Sequence, residues 1–118
     1  MSMTRVICDP GVCGNNATIE ATMDSTAGEM GKRPITVKIV SECKKVAAMA
    51  DGLADLDKGE LSEWEAIKPR GQPKICKWAA QCRLCAACPI PMAILKAMEV
   101  EAGLAAAKPV HLYFEMAD

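Results

Sequence analysis

The apolar residues of this chain change their spacing once near the middle and again near the end, and this change limits the fold more than any other feature. Ile19, Ala21 and Met23 alternate with Thr18, Glu20 and Thr22, and Ile35, Val37 and Ile39 alternate with Thr36 and Lys38. A period of two puts one set of side chains on one side of an extended strand. Together with the short apolar stretch Thr4–Cys8, the segments Thr18–Met23 and Pro34–Val40 are expected to pair as an antiparallel sheet with one buried face. After Val40 the spacing lengthens: Val46, Met49, Ala50 and Leu53 predict a helix over Glu42–Leu56, stopped by Asp57-Lys58-Gly59. Leu61, Trp64 and Ile67 predict a short helix over Ser62–Lys68, and Ile75–Cys82 adds a turn or two. Pro89 and Pro91 suit a first helical turn, where no backbone N–H is needed. Pro91, Ile94, Leu95, Met98 and Ala102 then share one face of a helix running to about Ala107, before Pro109. Finally Val110, Leu112, Phe114 and Met116 alternate with His111, Tyr113 and Glu115, which predicts a fourth strand over Val110–Met116. The expected fold is α+β: an antiparallel sheet of three to four strands with two main helices packed on one face.

At 118 residues the chain suits one domain, 1–118, with its own core. A formal charge of −1 and only four aromatics, Trp64, Trp78, Tyr113 and Phe114, argue against nucleic-acid binding. No apolar run reaches membrane-spanning length, and Met-Ser-Met-Thr-Arg does not resemble a signal peptide, so the expected setting is cytoplasmic, with no membrane association. Seven cysteines in such a chain read as metal ligands or reactive thiols rather than as a disulfide framework.

Their positions separate them. Cys82, Cys85 and Cys88 form a tandem Cys-x2-Cys-x2-Cys run, the spacing of zinc and iron–sulfur sites, although Met92 stands where the bacterial ferredoxin run has a further cysteine. Cys88 lies at a predicted helix start, where the helix dipole and free N–H groups favour a thiolate. Cys43 has the same setting after the third strand, and Cys13 sits between Gly11 and Gly14 in a loop where backbone can approach a ligand. Cys8 and Cys76 are expected to be buried as small apolar residues. His111, the single histidine, falls on the polar side of the last strand and reads as solvated or hydrogen-bonded, and Glu99, Glu101 and Lys96 read as solvated helix positions.

The order Cys13-Gly14, Cys43, Cys88 resembles the iron–sulfur scaffold proteins of the NifU and IscU type, in which three cysteines occupy a Cys-Gly loop, a helix start after a strand, and the start of a long C-terminal helix. The resemblance covers about residues 10 to 105 and implies a SufE/NifU-like arrangement. The motifs Asp-Pro-Gly-Val-Cys-Gly, Ser-Glu-Cys and Ala-Cys-Pro-Ile-Pro-Met-Ala-Ile-Leu-Lys-Ala are also similar to those of an uncharacterised cysteine-rich family of anaerobic bacteria and methanogenic archaea. That likeness implies an anaerobic setting, where exposed thiolates and clusters escape oxidation.

Three functions follow as expectations. The first is a metal- or cluster-binding module, with Cys13, Cys43, Cys85 and Cys88 holding an iron–sulfur cluster or zinc. A protein partner in cluster or sulfur transfer and a homodimer are both compatible with it. The second is a thiol redox or sulfur-carrier protein in which Cys88 attacks and Cys85 or Cys82 resolves the product as a disulfide. The third is a partner-binding protein whose cysteines carry no chemistry.

Overall fold

A computed structural model describes residues 3–54, 61–69 and 73–116. Strands β1 (Thr4–Cys8), β2 (Ala17–Met23) and β3 (Ile35–Ser41) form an antiparallel meander in the order β1-β2-β3. Helices α1 (Lys44–Ala54), α2 (Lys74–Gln81) and α3 (Ile90–Glu101) follow, with a 3-10 turn at Glu63–Ile67 between the first two. The fold is α+β, as the change of apolar period requires. The expected helix stop at Asp57-Lys58-Gly59, the end of the first helix at Asp55 and Leu56, and most of the loop before α2 lie outside the described residues.

The register accounts for the core. Ile19 faces Val6 on one side and Ile39 on the other, and Ala21 faces Thr4 and Val37. Because side chains alternate across a strand, these rows point to the same side, and the helices cover that side alone. Arg5, Ile7, Lys38 and Val40 occupy the opposite, exposed side, where Arg5 pairs with Glu20 at 2.8 Å. Ile19, Met49, Ile75, Ile90, Ile94 and Met98 are the largest fully buried side chains, so the core lies between β2 and the three helices.

Helix α3 differs from expectation in its extent and its buried face. Its core residues are Ile90, Ala93, Ile94, Ala97 and Met98, while Leu95 is half-buried at the edge of the apolar stripe. It ends at Glu101 rather than near Ala107 because Gly103 turns left-handed at φ +77°. The Leu104 N–H then donates to the Glu99 carbonyl at 2.9 Å and the Gly103 N–H to that of Val100 at 3.0 Å, which closes the last turn despite the helix-favouring alanines beyond. Glu101, expected in solvent, is buried: its carboxylate accepts Thr4 Oγ1 from β1 and the Met23 N–H from β2, both at 2.9 Å.

Residues 110–116 form no strand. Val110, Leu112, Tyr113, Phe114 and Met116 are all exposed, and no ladder joins them to the sheet. The alternation read from the sequence is present, but a strand needs a hydrogen-bonded neighbour as well as a pattern, and the described chain supplies none.

Candidate functional site

Five of the seven cysteines border a cleft at the end of the sheet where β1 finishes, β2 begins and β3 hands over to α1. Cys8 is the last residue of β1, paired with Ala17 at the start of β2. Asp9 then accepts the Gly11 N–H at 3.0 Å, and the Gly14 N–H donates to the Gly11 carbonyl at 2.9 Å, so the chain folds into a tight loop that exposes Cys13. Gly11 and Gly14 have φ of +90° and +69°, and a Cβ at either would meet nothing, so glycine is needed here for backbone conformation and not for space.

Cys43 sits just before α1 and not inside its first turn. Its carbonyl accepts the Ala47 N–H at 2.9 Å, and its own N–H donates to Ser41 Oγ at 3.2 Å. Between α2 and α3 the chain reverses at Arg83, a non-glycine residue at φ +57°, with the Leu84 N–H bonded back to the Ala79 carbonyl. A second turn, Cys88 N–H to Cys85 carbonyl at 3.0 Å, then leads into α3. Cys85 is exposed on this turn and Cys88 is partly buried at its end.

Cys8, Cys13, Cys43, Cys85 and Cys88 line one open cleft. Burial pushes the Cys88 thiol up; the Ile90 N–H, which bonds its sulfur, opposes this, and negative charge on Cys13, Cys43 and Cys85 adds to the rise. Burial also raises Cys8, followed by charge on Cys88, Asp9 and Cys13. Burial thus disfavours the thiolate at both Cys8 and Cys88. All seven cysteines are free thiols.

Among the described residues, no three His, Cys, Asp or Glu side chains are arranged to hold a metal ion. The donor set nevertheless has the chemistry of a soft-metal site, since thiolates are the ligands that select zinc and iron–sulfur clusters. Cys13 and Cys85 lie on exposed loops, where ligand movement is least opposed by packing.

Two residues that border the cleft were not linked to it by sequence reasoning. Cys8 packs against the core as expected but also borders the cleft, a position that depends on how β1 and α3 meet and that no local sequence signal gave. His111 also borders the cleft, with its ring stacked on Tyr113 at 5.8 Å, although nothing in its sequence neighbourhood linked it to the cysteines. Conversely, Cys82 and Cys76 do not border the cleft, and Cys82 packs against the core, so the tandem run splits between two environments.

The molecule is thus a small α+β domain with a thiol-lined cleft at one end of a three-stranded sheet. The chain belongs to a family of unknown function, DUF6951, whose match spans residues 4–114. No match was found among curated proteins or among solved structures. No helix among the described residues is long and apolar enough to cross a membrane.

Proposed function

We propose that the cleft binds a soft metal, as an iron–sulfur cluster or as zinc, through thiolates of Cys13, Cys43, Cys85 and Cys88. The observation that carries this reading is that thiols from separate segments, the β1–β2 loop, the start of α1 and the turn before α3, border one cleft. A pair of cysteines is enough for disulfide exchange, whereas a tetrahedral thiolate site needs four ligands, the number that Cys13, Cys43, Cys85 and Cys88 could supply once their loops draw together. Because a cysteine binds metal as the thiolate, metal uptake should release protons. The likeness of Cys13-Gly14, Cys43 and Cys88 to the NifU and IscU scaffolds supports a role in holding or passing on a cluster, with the β1–β2 loop and the Cys85 turn accessible to a protein partner.

The thiol-exchange reading has less support, because an attacking and a resolving cysteine account for only two of the thiols that border the cleft. Metal analysis of protein purified without oxygen separates the two. Iron or zinc should be found, or a visible absorption band should appear on reconstitution with iron and sulfide. Cys88→Ser should abolish binding while Cys76→Ser retains it. A wild type that carries no metal and cannot be reconstituted overturns the proposal.

A further inference from the structure

We propose that residues 110–116 of one chain add as a strand to the free edge of β1 in a second copy, reciprocally, to give a two-fold dimer. The two edges of the sheet are not alike. The outer side of β3 is met at its start by the segment before the 3-10 turn: the Ile35 N–H donates to the Leu61 carbonyl and the Glu63 N–H to the Arg33 carbonyl, both at 3.0 Å, and Pro34 bridges to Ser62. Beyond β1 there is no strand among the described residues. An uncovered edge strand is a template for another strand, and natural sheets are usually covered or broken there.

The chain carries a segment of the matching kind. Val110, Leu112, Phe114 and Met116 are 54%, 80%, 91% and 90% exposed, and they recur with a period of two, so in an extended strand they would share one face with His111, Tyr113 and Glu115 on the other. Four exposed large apolar residues on one strand face are costly in water and gain once that face is covered. A matching surface exists beside β1. The groove along this strand is the β1 side of the cysteine-bordered cleft, with Met92, Ala93, Lys96 and Val100 of α3 beside it, so a strand added to β1 with its apolar face turned inward would extend the partly buried face of Thr4, Val6 and Cys8 over α3.

The arm borders this groove in its own chain without pairing there. The Lys108 N–H bonds the Ala106 carbonyl and Pro109 then fixes the backbone ahead of the arm, and the molecule measures 54 Å along one axis against 28 and 25 Å along the others. Two copies each offer one arm and one edge. Reciprocal exchange satisfies both at once, with the self-complementary symmetry of a two-fold dimer and main-chain pairing of the kind used in strand addition.

The added strand would lie along one wall of the cysteine-bordered cleft, but the proposal does not depend on metal and can be read in metal-free protein with all seven cysteines intact. The full chain, freed of metal and kept reduced, should elute with twice the 12.6 kDa chain mass by light scattering. Amide exchange should be slowed in both 4–8 and 110–116. Leu112→Pro, which removes an N–H from the arm, should give a monomer, and so should Phe114→Glu, which keeps every N–H but charges the apolar face. Both changes lie outside the core, and unchanged far-ultraviolet dichroism would show that the body remains folded. A wild type that stays monomeric, a dimer unaffected by both variants, or a monomer whose arm is protected by pairing with its own β1 would each overturn the proposal.

Discussion

The two ends of the sheet are built on different principles. At the end holding Thr4, Met23 and Arg33, buried carboxylates tie the elements together. Glu101 bonds β1 and β2 to the last turn of α3. Glu63 takes the Arg33 Nε at 2.7 Å and also its backbone N–H at 3.0 Å, and Glu65 accepts the first N–H of α2 from Lys74 at 2.9 Å as well as the Lys68 ammonium. At the opposite end, where β1 closes and α3 starts, the functional groups are free thiols on turns, two of them exposed. Charge at the first end is matched by named donors and does structural work; at the second, the cysteines that border the cleft are not joined by disulfides. A single helix connects the two, since α3 runs from the residues just after Cys88 to Glu101.

This contrast can be tested by substitutions of decreasing effect. Ile94→Ala removes a fully buried side chain from the helix that joins both ends and should cost about 2–5 kcal/mol in urea unfolding. Leu95→Ala, at the edge of the same stripe, should cost clearly less; equal losses would mean that the buried face of α3 is misassigned. Glu63→Gln should cost about 1–3 kcal/mol, because charge-assisted bonds to Arg33 are lost at a buried site. Its pH dependence sharpens the point. The hydrogen bond from Arg33 holds the Glu63 carboxyl below its ordinary value of 4.5, so its contribution is complete above that value and is lost as pH falls through the lowered folded value. Acid titration of stability should therefore be shallower below pH 4.5 in the glutamine variant than in wild type. At the other end, Cys13→Ser and Cys85→Ser should change stability by no more than about 0.5 kcal/mol, as exposed positions do. A loss of 2 kcal/mol or so from either, on the scale of buried sites, would erase the distinction between the two ends.

What the sequence made legible follows the same division. Strand register was readable because only one face is buried, so a slip of one residue would have moved Ile19, Val37 and their row into water. The start of α3 was readable from its prolines. Its end was not, because the alanines after Glu101 favour continuation and the decisive step, Gly103 turning left-handed, is a local choice that helical periodicity does not report. Glu101 could not be identified as structural from its neighbours, since its partners lie 97 and 78 residues away. The arm 110–116 shows the limit from the other side, because the period of a strand was visible while the presence of a partner was not. Among the cysteines, the loop and helix-start positions of Cys13, Cys43 and Cys88 were legible from local signals. The place of Cys8 beside them depended on how β1 and α3 meet.

The bond between Thr4 and Glu101 also bears on how the molecule is made. The meander β1-β2-β3 pairs neighbours in sequence, so its contacts close short loops and can form early, whereas α3 must return across 97 residues to dock on the first strand. Chains are synthesised from the N-terminus, so Cys8, Cys13 and Cys43 emerge well before Cys85 and Cys88. A nascent chain therefore presents three separate thiols and no cleft. The cleft is complete only once α3 has docked on β1, so a ligand that needed thiols from both parts of the chain could be held only after that step.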